Sequence, residues 1–187
     1  MQRIRFGAAL STIERSAVLR LPAPASKRLP SRSQVAVRGS INGVEFETVL
    51  EPDGYFGHWM RVDDALRARA GLTLGQPAAV EVEPVDRWPE PTLPRDFKAA
   101  LGAAPASIRT LWDAITPMAR WEWVRWIEAT ANPATRKRRV EVSISKLQSG
   151  KRRPCCFNLS SCTDPTVSKS GRLIDAGTDG GGRPVAS

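Results

Sequence analysis

The stretch QVAVRGSINGVEFETVL, residues 34–50, decides the fold of the N-terminal half of the chain. It contains two runs of alternating apolar and polar residues, separated by Asn42 and Gly43. This dipeptide readily adopts the two positive φ angles of a type I′ turn. Alternation places Val35 and Val37 on one face of the first strand, and the second strand alternates in the same way. The stretch therefore predicts a β-hairpin with one apolar face.

Further short strands are predicted on both sides of this hairpin. Asp63 is suited to cap a short helix, and Gly71 stands where a helix ends with a positive φ angle. The other predicted strands are residues 4–10, 17–21 and 55–62, and a run through Val80 and Val82. Five or six short strands with one or two helical turns predict a small closed or nearly closed β-barrel. The order of elements from Trp59 to Val82 also resembles the half-barrels of AbrB-type transcription factors.

The second half has helical periodicity. Four prolines in residues 84–94 predict an extended linker, so we divide the chain into a barrel (1–83), a linker (84–93), a helical module (94–153) and a cysteine-containing segment with a flexible tail (154–187). Thr116-Pro117 and Asn132-Pro133 are helix start signals. The predicted helices are residues 94–103, 105–115, 117–130 and 133–149. The sequence therefore predicts an α+β protein of two modules.

Positive charge is concentrated in the helical module. The chain has a formal net charge of +9, and residues 120–153 hold ten Lys and Arg against three Asp and Glu. Cations in the first turns of a helix repel one another and oppose the helix dipole, so the sequence suggests an anion bound at the start of the last helix. A solvated charged face is the alternative interpretation. The candidate anion-binding residues, called the basic sector below, are Arg136, Lys137, Arg138, Arg139, Lys146, Lys151, Arg152 and Arg153.

Three tryptophans lie close together in the predicted third helix of this module. Trp121, Trp123 and Trp126 are candidates for an aromatic platform that stacks a base or another ligand beside the cations. Helical spacing also allows them to form the core of a small module. Both interpretations stay open at this stage.

The search for an enzyme finds no catalytic constellation. His58 is the only histidine, and no nucleophile motif, phosphate loop or dinucleotide fingerprint accompanies it. A pocket near His58 and Trp59, in the barrel or between the modules, is the alternative candidate site. Cys155, Cys156 and Cys162 form one cluster without the second ligand pair that structural zinc requires, so we predict neither a metal nor another cofactor.

The chain shows no sign of membrane insertion. The apolar stretch at residues 6–10 is short, and polar residues interrupt it directly afterwards. No run is long and apolar enough to span a bilayer. We therefore expect a cytoplasmic protein with reduced thiols.

Two segments resemble known families. VAVRGSINGVEFETVLEPDGYFGHWMRVDDALRARAGL, residues 35–72, looks like a small barrel domain of unknown function. The stretch EWVRWIEATANPATRKRR, residues 122–139, is similar to the core of the bacteriocin-protection, YdeI/OmpD-associated family. The resemblance implies a bacterial protein connected with stress or with resistance to antimicrobial peptides, and it supplies no activity or substrate.

The sequence favours a non-enzymatic binding or regulatory protein. In this hypothesis the basic sector binds nucleic acid or another anionic partner. The alternatives are a small-molecule-binding protein or enzyme with a pocket near His58, and a protein–protein adaptor. The oligomeric state does not follow from the sequence.

Overall fold

A computed structural model of the protein describes residues 3–13, 16–154, 166–168 and 172–174. Within these residues, a closed barrel of six strands is followed by a bundle of helices, which confirms the α+β architecture. No helix in this part of the chain is long and apolar enough to cross a membrane. The likeness of the segment from Trp59 to Val82 to AbrB-type half-barrels is not tested by this architecture and stays an expectation from the sequence.

The barrel closes through antiparallel pairing between all neighbouring strands. Its strands are β1 (Ile4–Ile13), β2 (Ser16–Arg20), β3 (Val35–Ile41), β4 (Val44–Pro52), β5 (His58–Arg61) and β6 (Pro77–Pro84). Their order is β1-β2-β5-β4-β3-β6. Strand β1 closes the barrel because its first half pairs with β6 and its second half with β2. The short helices α1 (Ala23–Ser26) and α2 (Asp64–Arg69) lie between strands.

The predicted hairpin is confirmed, and its turn also connects to the rest of the barrel. Asn42 and Gly43 have φ angles of 49° and 81°, as a type I′ turn requires. The side chain of Asn42 accepts a hydrogen bond from the Ala79 amide at 3.0 Å and donates one to the Ala70 carbonyl at 3.0 Å. The turn residue therefore links the β3–β4 hairpin to β6 and to the end of α2.

The strand predicted from residue 55 begins only at His58. Asp53 accounts for the difference, because its Oδ1 accepts hydrogen bonds from the amides of Tyr55 (2.7 Å) and Gly57 (2.8 Å). These bonds fold residues 53–57 into a compact loop. Phe56, within it, has a φ angle of 69° and cannot be part of a strand.

The helical module follows the predicted start signals closely. Its helices are α3 (Arg95–Ala103), α4 (Ala106–Ala114), α5 (Pro117–Glu128) and α6 (Pro133–Gln148). Thr116 caps α5 by accepting from the Ala119 amide, and Asn132 caps α6. The module has its own core, which includes Phe97, Trp112, Trp123, Ile127 and Leu147.

Part of the C-terminal tail packs on the outside of the barrel. Leu173 is 2% exposed and lies in a cluster with Ile13, Val18 and Trp59. Its amide donates to the Asp53 carbonyl at 2.9 Å. The expectation of a flexible tail therefore does not hold for residues 172–174, because an apolar side chain there has a place to be buried. Cys155, Cys156 and Cys162 lie outside the described residues.

Candidate functional site

A cleft of about 800 Å³ lies between the barrel and the helical module. Strands β4 and β5 and the residues after them form one wall, α5 forms the other, and the linker contributes the edge between them. We call it the inter-module cleft. Its lining includes Glu51, Trp59 and Arg61 from the barrel and Trp121, Arg125 and Trp126 from α5.

Arg125 is the central basic residue of this cleft. Its side chain is only 11% exposed, and its Nε lies 2.5 Å from Oε1 of Glu51, which is 16% exposed. The guanidinium also lies 5.7 Å from the ring centre of Trp88 and 5.9 Å from that of Trp121. Two indole rings and one carboxylate therefore hold this cation at the junction of the modules.

Two of the three side-chain nitrogens of Arg125 have no acceptor within the described part of the chain. The contact with Glu51 is a charge pair without hydrogen-bond geometry, and the buried Nε and Nη2 atoms have no acceptor among the described residues. A buried guanidinium N–H without an acceptor is costly, and water or a ligand must supply one. Arg125 is thus equipped to bind an acceptor group inside the cleft.

The cleft as a whole is acidic, although the module that forms one wall is basic. Among the described lining residues there are seven carboxylates and three guanidinium groups, a formal balance of 3 − 7 = −4. The carboxylates are Glu47, Glu51, Asp63, Asp64, Glu90, Glu122 and Glu128, and the guanidinium groups are Arg61, Arg125 and Arg136. Such a surface repels a polyanion and tolerates neutral, zwitterionic or cationic molecules.

Of the two predicted pocket residues, the structure places only Trp59 in the cleft. Trp59 lines it, with its indole Nε1 donating to the Pro52 carbonyl at 3.2 Å. His58 is 1% exposed, and its Nε2 lies 3.0 Å from the Ser33 carbonyl. A carbonyl only accepts, so Nε2 carries the proton. His58 does not line the cleft, because neighbouring residues of a strand point to opposite faces and only the face of Trp59 borders it.

The three tryptophans do not form one platform. Trp123 is fully buried, and its Nε1 donates to the Arg152 carbonyl at 3.1 Å. Trp126 meets it edge to face, with ring centres 6.2 Å apart. Trp121 and Trp126 are half-buried and both line the cleft. Trp123 is therefore a core residue, because the turn of α5 points it toward α6, while its two neighbours stay available to a ligand.

Some cations of the basic sector pair with groups inside the protein. Arg136 donates to both carboxylate oxygens of Asp96, at 2.6 and 2.9 Å. These hydrogen bonds lower the pKa of Asp96 and raise the pKa of Arg136. Arg139 donates to the carbonyls of Trp126 and Ala129, both at 2.7 Å. The two arginines hold α6 against α3 and against the end of α5.

The start of α6 does not offer the anion site that the sequence suggested. Oδ1 of Asn132 accepts from the amides of Ala134 (2.9 Å) and Thr135 (3.1 Å). An amide that donates to its cap is not free for an anion. These two amides are therefore not available to an anion at this helix start.

Two further cations of the sector also have neighbours within the module. Lys146 lies 5.7 Å from the ring centre of Trp126, and Arg153 lies 3.5 Å from Glu122. Besides Arg153, the exposed members are Lys137 and Arg138 near the start of α6, and Lys151 and Arg152 beyond its end. From Lys137 to the end of α6 the helix rises by roughly 16 Å, at 1.5 Å per residue. A compact anion cannot reach both, whereas an extended polyanion can.

Two family models match the chain. Residues 6–82 match a domain of unknown function, DUF1905, and residues 90–150 match the model described as bacteriocin-protection, YdeI or OmpD-associated. The barrel is thus similar to DUF1905, and the helical module is similar to the YdeI/OmpD-associated family. This confirms the family resemblance. None of the curated proteins compared with the chain matches it.

The segment that carried the YdeI/OmpD-associated resemblance has clear structural roles. Residues 122–139 contribute Arg125 to the cleft, the Asn132 cap to α6, and Arg136 and Arg139 to contacts between helices. Most of its basic and aromatic residues therefore position the helices, and Arg125 and Trp126 also face the cleft.

Sequence reasoning missed Arg125 and Glu51. Arg125 stands between two tryptophans in WVRW, a pattern that suggests a cation held by aromatic rings. No local signal indicates Glu51, because its role depends on α5 meeting the end of β4. The cleft itself could not be predicted from either module alone.

Proposed function

We propose that this YdeI/OmpD-associated protein binds a compact, neutral or zwitterionic organic ligand in the inter-module cleft. The observation that carries the proposal is the buried Nη2 of Arg125, which has no acceptor among the described residues and lies in a cleft between two modules. Ligand sites commonly lie at such domain interfaces.

The size and lining of the cleft support a small molecule. Its volume of about 800 Å³ lies within the range of roughly 300–1,000 Å³ that is common for ligand pockets. The half-buried indoles of Trp121 and Trp126 offer flat apolar surfaces, and Arg125 offers a donor. A planar or apolar body with one acceptor group fits these three residues.

The acidic walls restrict the charge of the ligand. The acceptor that Arg125 binds can be a carbonyl or a carboxylate. A carboxylate ligand needs a cationic group as well, since Asp63, Asp64 and Glu47 repel a net anion. A zwitterion such as an amino acid or a short peptide satisfies both conditions, as does a neutral molecule with a carbonyl group.

A thermal-shift screen with free amino acids, dipeptides and nucleosides tests the proposal. A ligand selective for the folded protein raises the melting temperature, and calorimetry then gives its Kd. We expect Arg125→Lys, which keeps a positive charge near Glu51 but removes Nη2, to weaken binding about tenfold. Arg109→Lys, in α4 and outside the lining of the cleft, is the matched control.

The outcomes of this screen separate the cleft from other sites. Hits that Arg125→Lys weakens and Arg109→Lys leaves unchanged support the cleft. A screen without hits would contradict the proposal. So would hits whose affinity is changed by neither Arg125→Lys nor Trp121→Leu. Circular dichroism of each variant establishes that the fold is retained.

A second candidate function is favoured by the exposed cations. Lys137, Arg138, Lys151 and Arg152 are exposed at the two ends of α6, where an extended polyanion such as nucleic acid can contact both. If it does, affinity falls steeply as salt rises, and Lys137→Ala/Arg138→Ala reduces the slope. Binding that is insensitive to salt argues against it. The cytoplasmic location and the adaptor role stay predictions.

The family description gives the cellular context that we propose. Bacteriocin protection is named for the family that the helical domain matches, and ligand binding in the cleft is the activity we assign to this chain within that context.

A further inference from the structure

The loop at residues 53–57 presents two aromatic rings to solvent. Asp53 holds it through three hydrogen bonds: Oδ1 accepts from the amides of Tyr55 and Gly57, and the Asp53 amide donates to the Gly57 carbonyl at 3.1 Å. A Cβ at Gly57 would lie 2.3 Å from an Asp53 carboxylate oxygen, so a larger residue there would displace the carboxylate that holds the loop. The loop is therefore a specifically built structure.

The aromatic rings on this loop are unusually exposed. Phe56 is 79% exposed and Tyr55 is 54% exposed. Phe56 also has a φ angle of 69°, a conformation that is strained for a bulky residue. Burial does not compensate for this strain, because the ring lies in solvent. Folding alone gives no reason for phenylalanine here, where asparagine or glycine would be more stable.

Basic residues surround the two rings. The guanidinium of Arg32 lies 5.3 Å from the ring centre of Phe56, and that of Arg172 lies 5.2 Å from the ring centre of Tyr55. Lys27 and Arg32 line a groove of about 620 Å³ beside the rings. Asp53 is the one carboxylate among the described residues of that groove, and its Oδ1 already accepts two amides. The surface is thus aromatic and basic, and it shares no lining residue with the acidic cleft.

We infer that this surface, composed of Tyr55, Phe56, Lys27, Arg32 and Arg172, binds single-stranded nucleic acid. Exposed aromatic side chains stack on unpaired bases, and adjacent cations contact the phosphates. A duplex keeps its bases stacked inside and leaves the rings without a partner. Charge complementarity favours this partner over a neutral one, and the flat rings favour bases over the side chains of an acidic peptide.

Fluorescence anisotropy with labelled oligo-dT of about 12 nucleotides, a length within the usual site sizes, tests the inference. We expect Phe56→Asn to weaken binding about tenfold, because it removes the stacking ring. Asparagine tolerates a positive φ angle, so this variant should fold at least as well as the wild type. Leu74→Asn, at an apolar residue 46% exposed outside the groove, is the matched control and should bind like wild type.

Three results would overturn the inference. One is the absence of oligo-dT binding at low salt. Another is equal binding by wild type and Phe56→Asn; if Lys137→Ala/Arg138→Ala then loses binding, the contact lies on α6. The third is equal competition by poly-glutamate, which would indicate attraction to any acidic polymer. Weaker binding by Phe56→Asn with a salt slope reduced in Arg32→Ala supports it.

Discussion

The Nε of Arg125 lies 2.5 Å from Oε1 of Glu51, and this ion pair joins α5 of the helical domain to the end of β4 in the barrel. Both side chains are more than four-fifths buried. A charge in such a position depends on its partner, because removal of one member leaves the other desolvated and uncompensated. The pair therefore holds α5 against β4 and also positions the Arg125 guanidinium that we assign to ligand binding.

Breaking this pair should destabilise the protein. We expect Glu51→Gln to lower the free energy of unfolding by about 2 kcal/mol, since it leaves the Arg125 charge unpaired in the cleft. Glu90→Gln is a matched control at a pair with Arg120 in which the carboxylate is 55% exposed, and it should change the value by less than about 0.5 kcal/mol. Urea denaturation measures both. Equal effects of the two substitutions would contradict the assignment.

Barrel closure depends on the absence of a side chain at Gly39. A Cβ there would lie 2.0 Å from the Glu81 carbonyl oxygen, across the β3–β6 pairing. Gly39→Ala should therefore lower the free energy of unfolding by about 3 kcal/mol, since backbone atoms have to move. Gly7→Ala in β1, with nothing within 4 Å of its Cβ, should be tolerated. A stable Gly39→Ala protein, measured by thermal denaturation, would show that β6 does not approach β3 this closely.

The pair of Asp96 with Arg136 predicts a pH dependence of stability. Two hydrogen bonds from Arg136 hold the pKa of Asp96 below its usual 3.8. The unfolded state then takes up a proton more readily, so the stabilisation is present above the unfolded pKa and is lost as pH falls through the folded pKa. Asp96→Asn should lower stability at pH 7 by about 0.5 kcal/mol, because the pair is partly exposed.

Denaturation series at several pH values measure this effect. The difference between wild type and Asp96→Asn should shrink as the pH falls below about 4. A difference that persists unchanged into strong acid would mean that the ionised carboxylate does not stabilise α3 against α6.

Leu173 should contribute measurably to the stability of the barrel. Its side chain is 2% exposed and packs in a cluster with Trp59. Leu173→Ala should therefore lower the free energy of unfolding by about 2 kcal/mol. Ile174, the next residue, is 40% exposed, and Ile174→Ala should change the free energy of unfolding by less than about 0.5 kcal/mol. Chemical denaturation of the two variants measures both changes. Equal stabilities would mean that the tail does not pack on the barrel in solution.

The sequence predicted features that a few neighbouring residues determine. The φ angles of Asn42 and Gly43 produce the hairpin, and the capping side chains of Thr116 and Asn132 start α5 and α6. Each is a local preference of the backbone, so the strands and helices were placed within a few residues. The loop at residues 53–57 was the exception, because Asp53 diverts a segment that otherwise reads as a strand.

The candidate site was predicted less well, because its chemistry depends on residues far apart in sequence. The sequence shows the cations Arg136 and Arg139, but their acceptors, Asp96 and the carbonyl of Trp126, come from other helices. A charged run looks free until the tertiary structure supplies its partners. The same holds for His58, which is buried because α1 and the segment with Ser33 cover it.

By itself, the sequence determined the two modules, their elements and the concentration of positive charge in the second one, since turns, caps and composition are local properties. Only the tertiary structure decided that the space between the modules is acidic, that Arg125 lies in it opposite Glu51, and that Phe56 projects into solvent. Electrostatic and packing energies depend on distances in space, and those distances exist only once the chain has folded.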